Sequence, residues 1–109
     1  MSYDIWLEID TGGPEPAIVH EVGNYTSNVV PMWAKALGGT SLGEYHGRNA
    51  GDAVTELRAA VARMDAEPAI YAAMNPPNGW GESRSARDYL NKVAQACADH
   101  PRTTIHISR

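Results

Sequence analysis

"YDIWLEID", residues Tyr3 to Asp10, decides the fold. Tyr3, Ile5, Leu7 and Ile9 alternate with Asp4, Trp6, Glu8 and Asp10. That period of two puts one set of side chains on a core and the other toward solvent, so a half-buried strand is expected. "TGGPEP", Thr11 to Pro16, follows with the Gly and Pro punctuation of a reversal. "AIVHEVGNYT", Ala17 to Thr26, is rich in branched residues and reads as the hairpin partner. At the far end "TTIHISR", Thr103 to Arg109, sets Ile105 and Ile107 against Thr104, His106 and Ser108. Two strands from one end and one from the other make a small, mostly antiparallel three-stranded sheet. The C-terminal strand lies at its edge or at its centre.

The middle of the chain is helical. Pro31 suits the first turn of a short helix, "PMWAKALGG", stopped by Gly38 and Gly39. "NAGDAVTELRAAVARMDAEP" places Val54, Leu57, Val61 and Met64 at helical spacing, with Asn49 as cap and Asp52 and Glu56 near the positive end. Pro68 ends that helix and opens a short one, "PAIYAAM". "SRSARDYLNKVAQACADHP" carries Ala86, Leu90, Val93 and Cys97 along one stripe, with Ser83 or Ser85 as its cap and Pro101 closing it. The expectation is an α+β domain spanning 1–109, with about three helices packed on one face of the sheet. The other sheet face would carry Trp6 among acids.

With 109 residues, the chain is sized for a single core. Apolar residues make up 43% and charged ones 20%, the balance of a globular protein. There is no Phe, but five Tyr and three Trp, so every one of these rings carries a polar handle. A net charge of −4 and scattered Lys and Arg oppose binding to a phosphate backbone, which needs a basic face; only Arg84 and Arg87 suggest a local patch. One cysteine, Cys97, leaves no internal disulfide and points to a reducing compartment. The acidic start does not read as a signal peptide, and no segment approaches the ~20 apolar residues of a membrane span. A cytoplasmic location without a membrane partner is expected.

Catalytic and metal chemistry find little support. His20, His46, His100 and His106 have no helical i, i+4 pairing, and His20 and Glu21 are strand neighbours that point to opposite faces. Cys97 sits on an inward stripe, as a small hydrophobe would. Ser27, Ser41, Ser83 and Ser85 lack a nucleophile-elbow context. "GGTSLG" has neither a P-loop lysine nor dinucleotide spacing. No metal, cofactor or catalytic residue is assigned.

Three polar stretches remain. The first is Asn24, Tyr25, Thr26, Ser27 and Asn28. If Pro31 begins the helix, the formal cap is Val30, which has no capping side chain. A cap at Asn28 would force Val30 into helical geometry before a proline, which is disfavoured. The run therefore forms either a self-satisfied Asx or Ser/Thr turn or a set of side chains free for a ligand. The second is "MNPPNGWG", Met74 to Gly81, a stiff loop around Asn78. Its Trp80 is either a preorganised binding anchor or a plug for the core beneath. The third is "LGEYHGR", Leu42 to Arg48, with Tyr45, His46 and Arg48.

These stretches, in this order, resemble a family of small uncharacterised proteins encoded by actinobacteriophages and related prophages. The resemblance is carried by Asn24, Thr26, Asn28, Pro31 and Met32, then His46 and Gly47, then Asn75, Pro76, Asn78, Gly79, Trp80 and Gly81. It covers most of the chain. It departs after Gly81, where the family pattern has an acid, an aromatic and an acid, and this chain has Glu82-Ser83-Arg84. The resemblance implies a phage accessory protein acting in the bacterial cytoplasm outside the virion, and no particular reaction.

The function expected is therefore non-catalytic binding of a host protein or of a small host-derived, nucleotide-like molecule, such as a defence signal. Trp80 or Tyr45 would stack on a base, Asn24, Thr26 and Asn28 would hydrogen-bond it, and Arg48 would meet a phosphate. His46 and Asn78 complete the candidate set. Two other classes stay open. One is a small metabolite-processing enzyme using His46 or His20 with a Glu as an acid–base pair. The other is a homo-oligomeric structural component of the particle, with Trp6 and the acidic sheet face as its interface.

Overall fold

The computed structural model describes residues 2–109. Strand β1 (Ser2–Ile9) is central, with β2 (Ala17–Thr26) and β3 (Thr104–Ser108) antiparallel on either side in the order β2-β1-β3. The C-terminal strand is thus an edge. Four helices follow the hairpin: α1 (Val30–Ala36), α2 (Ala50–Ala66), α3 (Pro68–Ala72) and α4 (Ser83–Asp99). The fold is α+β, as the strand and helix periods predict.

One face of the sheet makes the core. Tyr3, Ile5 and Leu7 from β1 and Ile105 and Ile107 from β3 are buried against Leu57, Val61 and Met64 of α2 and Ala86, Leu90, Val93 and Cys97 of α4. Val54 is only half-buried, and Ile9, the last apolar residue of the β1 alternation, lies exposed beside the turn. Around Trp33 the polar-handled rings cluster: its centroid lies 5.6 Å from Tyr3, 5.9 Å from Tyr25 and 5.7 Å from Tyr89. The Trp33 and Tyr89 handles have partners, as burial of an indole N–H or a phenol requires. Trp33 Nε1 donates to the Ala86 carbonyl at 3.1 Å, and the Tyr89 hydroxyl donates to the Gly23 carbonyl at 2.8 Å. These bonds tie α1 to α4 and α4 to β2.

Two helix starts differ from the sequence expectation. Val30 does adopt helical geometry (φ −50°, ψ −42°) directly before Pro31, and the helical cap position falls on Val29. A short 3-10 turn, Ser27–Val29, runs straight into α1 and carries Val30 into the helical region despite the proline. The cap of this combined start is Thr26, whose hydroxyl accepts from the Asn28 amide at 3.3 Å. For α4 the cap is neither Ser83 nor Ser85 but Glu82. Its carboxylate accepts from the Ser85 amide at 2.7 Å, the Ser85 hydroxyl at 2.6 Å and the Arg84 amide at 3.3 Å. These bonds, the Ser85 hydroxyl first, hold the Glu82 carboxyl below its ordinary range. For α2 the expected Asn49 cap is present, accepting from the Asp52 amide at 3.0 Å.

Leu42 to Arg48, read as a polar loop, folds inward instead. Leu42–Tyr45 is a 3-10 turn with Leu42, Gly43 and Tyr45 buried. The following residues cover the free edge of β3. Gly47 N–H donates to the Ile105 carbonyl at 2.8 Å, Ile105 N–H to the Arg48 carbonyl at 2.9 Å, and Ile107 N–H to His46 Nδ1 at 2.9 Å.

Candidate functional site

Five of the eight candidate residues meet in one cleft. Asn24 and Thr26 come from the end of β2, Asn28 from the 3-10 turn, and Asn78 and Trp80 from the loop before α4; Ser2 and Tyr25 complete the lining of about 520 Å³. Asn24, Tyr25 and Thr26 are strand residues facing Asp4, Tyr3 and Ser2, and Ser27 and Asn28 lie in the 3-10 turn, so none of the five-residue polar run is irregular loop. Strand alternation sends Tyr25 inward to the ring cluster, while Asn24 and Thr26 point to the other side.

The Trp80 loop is fixed against this strand end from both sides. The Tyr25 hydroxyl accepts from the Glu82 amide at 3.2 Å and donates to the Glu82 carbonyl at 3.3 Å. Asn75 Oδ1 accepts from the Ser83 amide at 2.8 Å. Within the loop Gly79 N–H reaches the Pro76 carbonyl at 3.2 Å, and Asn78 Oδ1 accepts from the Trp80 amide at 2.9 Å. Gly81 permits the close approach: a Cβ there would stand 2.7 Å from Thr26 Cγ2 and 2.9 Å from Val29 Cγ1, at φ +96°. Tyr25, Asn75 and Gly81 were not among the candidate residues of the cleft. The signal for Tyr25 was present in β2, since its alternation puts that ring on the core side, within reach of α4.

Held this way, Trp80 is 67% exposed, and it does not plug the core. Among the described residues its ring stacks on no other aromatic, and the side chains of Asn24 and Asn28 make no hydrogen bond. Asn78 uses its oxygen on the loop and keeps its NH₂ for another partner. Among the described residues no Lys or Arg lines the cleft, and the exposed Asp4 stands beside it, opposite Asn24.

Tyr45, His46 and Arg48 do not line this cleft. Tyr45 is buried, and burial, with Glu56 nearby, pushes its phenol up from the ordinary value. The Arg48 guanidinium lies 4.5 Å over the Tyr45 ring and pairs with Glu56 at 2.6 Å. His46 has its Nδ1 committed to β3. Stacking by Tyr45 and phosphate pairing by Arg48 in a common site with Trp80 are thus absent from this geometry.

The other chemistry-bearing groups have local explanations. Cys97 is fully buried, and burial pushes its thiol up to about 11, away from a reactive thiolate. Arg87 is no free cation, since it grips Asp65 at 2.8 and 3.0 Å in a cleft between α2, α3 and α4 and holds that carboxyl below its ordinary range. His20 stacks on His100, with centroids 5.5 Å apart. On the open sheet face His106 stacks on Trp6 at 5.7 Å and lies 3.5 Å from Glu8, which also accepts from Trp6 Nε1. Among the described residues no three His, Cys, Asp or Glu are grouped to hold a metal ion. Among the described residues no helix is long and apolar enough to cross a membrane. Scans against protein-family models, curated proteins and solved structures each found no match for this chain.

Proposed function

We propose that this chain is a non-catalytic phage accessory protein that works in the host bacterial cytoplasm by binding. Its ligand is a host-derived molecule, free or displayed on a host protein, taken up in the Trp80 cleft. One observation carries the reading: an exposed indole on a doubly anchored loop, ringed by three carboxamides with hydrogen-bonding capacity to spare. A rigid aromatic loses little freedom on contact, and unspent polar groups around it supply orientation. The nucleotide form of the reading weakens, because Arg48 is spent on Glu56 and, among the described residues, no Lys or Arg lines the cleft. Affinity purification from host lysate with native mass spectrometry tests the proposal. The wild-type chain should retain a species that the Asn24→Ala/Trp80→Ala variant loses at unchanged melting temperature. Identical retained sets would refute it.

A second reading, an acid–base enzyme, is favoured by the Glu8–His106 contact, which lines a cleft of about 400 Å³ beside the β1–β2 turn. It shifts the pair from His46 or His20 to His106. Turnover of a metabolite that vanishes in His106→Ala, with the fold intact, would establish it.

A further inference from the structure

We infer that the Trp80 cleft takes a neutral saccharide, presented with one C–H face on the indole and its hydroxyls toward Asn24, Asn28 and Asn78. The inference rests on the reading of this cleft as the contact site and names its ligand. A pyranose ring has one comparatively apolar face and a rim of hydroxyls, each able to donate one hydrogen bond and accept others. The indole offers a flat, electron-rich face to polarised C–H groups. A carboxamide donates through its nitrogen while accepting through its oxygen, so one asparagine can serve two neighbouring hydroxyls. Among the described residues Asn24 and Asn28 keep both functions unspent, and Asn78 keeps its donor. Thr26 and Ser2 add hydroxyls to the same lining.

Three observations separate this ligand from the alternatives. Among the described residues the lining holds no Lys or Arg and stands next to Asp4, which disfavours phosphates and acidic sugars alike. Among the described residues no second ring stands against the exposed indole, so a purine stacked there would leave its second π-face in water. A sugar is mostly hydroxyl on its outer side and loses nothing by staying wet there. The polar groups also come from three separate segments, β2, the 3-10 turn and the loop, placed around one indole. That layout suits hydroxyls radiating from a ring better than the single apolar slot an aliphatic peptide anchor requires.

The test is a titration of the full-length chain, labelled with nitrogen-15, followed through the Trp80 indole N–H and the Asn24, Asn28 and Asn78 side-chain signals. The probes are glucose, mannose, galactose, N-acetylglucosamine and their short oligomers, with adenosine, guanosine and a mixed tryptic peptide pool as competitors. An array of neutral glycans distinguishes a free sugar from one carried on a macromolecule. Saturable shifts of these signals with at least one neutral saccharide are expected, weakened about tenfold or more in Trp80→Ala and also reduced in Asn28→Ala. Trp80 is exposed, so its variant should keep the fold, and an unchanged melting temperature checks this. If nucleosides or peptides move the signals and no saccharide does, the saccharide inference falls while the contact-site reading stands. If no probe moves them and Trp80→Ala captures the same host species as the wild type, both fall.

Discussion

Two stretches of similar composition meet opposite fates in this molecule. Residues 42–48 and 75–81 both surround an aromatic with glycine and polar residues. In the first, every conspicuous group is consumed internally: Tyr45 is buried, Arg48 is bound to Glu56, and His46 accepts from β3. In the second, Asn75, Asn78 and Tyr25 are spent on fixing the backbone, and the indole is left over: Trp80 stands in solvent. The difference comes from what lies beside each stretch. β3 is an edge strand whose outward amides need partners from outside the sheet, and supplying them is a use for any adjacent polar segment. The Trp80 loop instead abuts the end of β2, where Tyr25 and Gly81 supply anchorage without needing the indole.

This contrast can be broken by substitution. Tyr45→Ala should cost about 3–5 kcal/mol, the range for truncating a buried aromatic, read as a fall in the denaturant midpoint at unchanged m-value. If it costs nothing, residues 42–48 are not part of the core. Gly81→Ala should cost about 1–3 kcal/mol, because the new Cβ meets Thr26 and Val29 and the backbone holds positive φ. It should also perturb the amide signals of Asn24 and Asn28, whereas an addition of the same methyl at exposed Gly39 should leave them in place.

Glu82 sharpens the comparison through pH. Its folded carboxyl lies below the ordinary range because it accepts from Ser85 and Arg84. Its stabilising contribution is therefore present above the unfolded pKa of about 4.3 and is lost as pH falls through the lower folded value. Glu82→Gln should lower stability by about 0.5–1 kcal/mol at neutral pH, as loss of a charged cap does, and by less in strong acid. A pH-independent difference between the two chains, measured by urea unfolding across that range, would remove the charged-cap account. The smallest stability effect belongs to Trp80→Ala, within about 0.5 kcal/mol of the wild type, as for surface substitutions generally. A large loss there would mean the ring is structural after all.

Much of this fold is legible in the chain because its elements bury one side each. The Tyr3-Ile5-Leu7 alternation and the Ala86-Leu90-Val93-Cys97 stripe map directly onto the core. What escapes the sequence is set by tertiary neighbours. Val30 turns helical before Pro31 because the turn at Ser27–Val29 delivers it that way. Glu82 caps α4 ahead of two nearby serines because its carboxylate reaches forward to the Arg84 and Ser85 amides and Ser85 spends its own hydroxyl donating to it. The inward fold of residues 42–48 depends on β3, some sixty positions later in the chain, as the 61-residue separation of the His46–Ile107 bond shows. The candidate cleft was half legible. Its asparagines and tryptophan stood out as residue types, but the strand end, Tyr25 and Gly81 that assemble them act through contacts the local sequence does not display.

The turn at Asn78–Gly79 also behaves as a chemical clock. An asparagine followed by glycine ages readily, because the next backbone nitrogen meets no Cβ as it attacks the carboxamide and closes a succinimide. Here that nitrogen donates to the Pro76 carbonyl, and the Asn78 oxygen is held by the Trp80 amide. Ring closure must wait for both bonds to open together. The rate at which aspartate and isoaspartate accumulate at position 78 in stored protein thus counts how often the loop comes undone, and each such event would plant a negative charge beside Trp80.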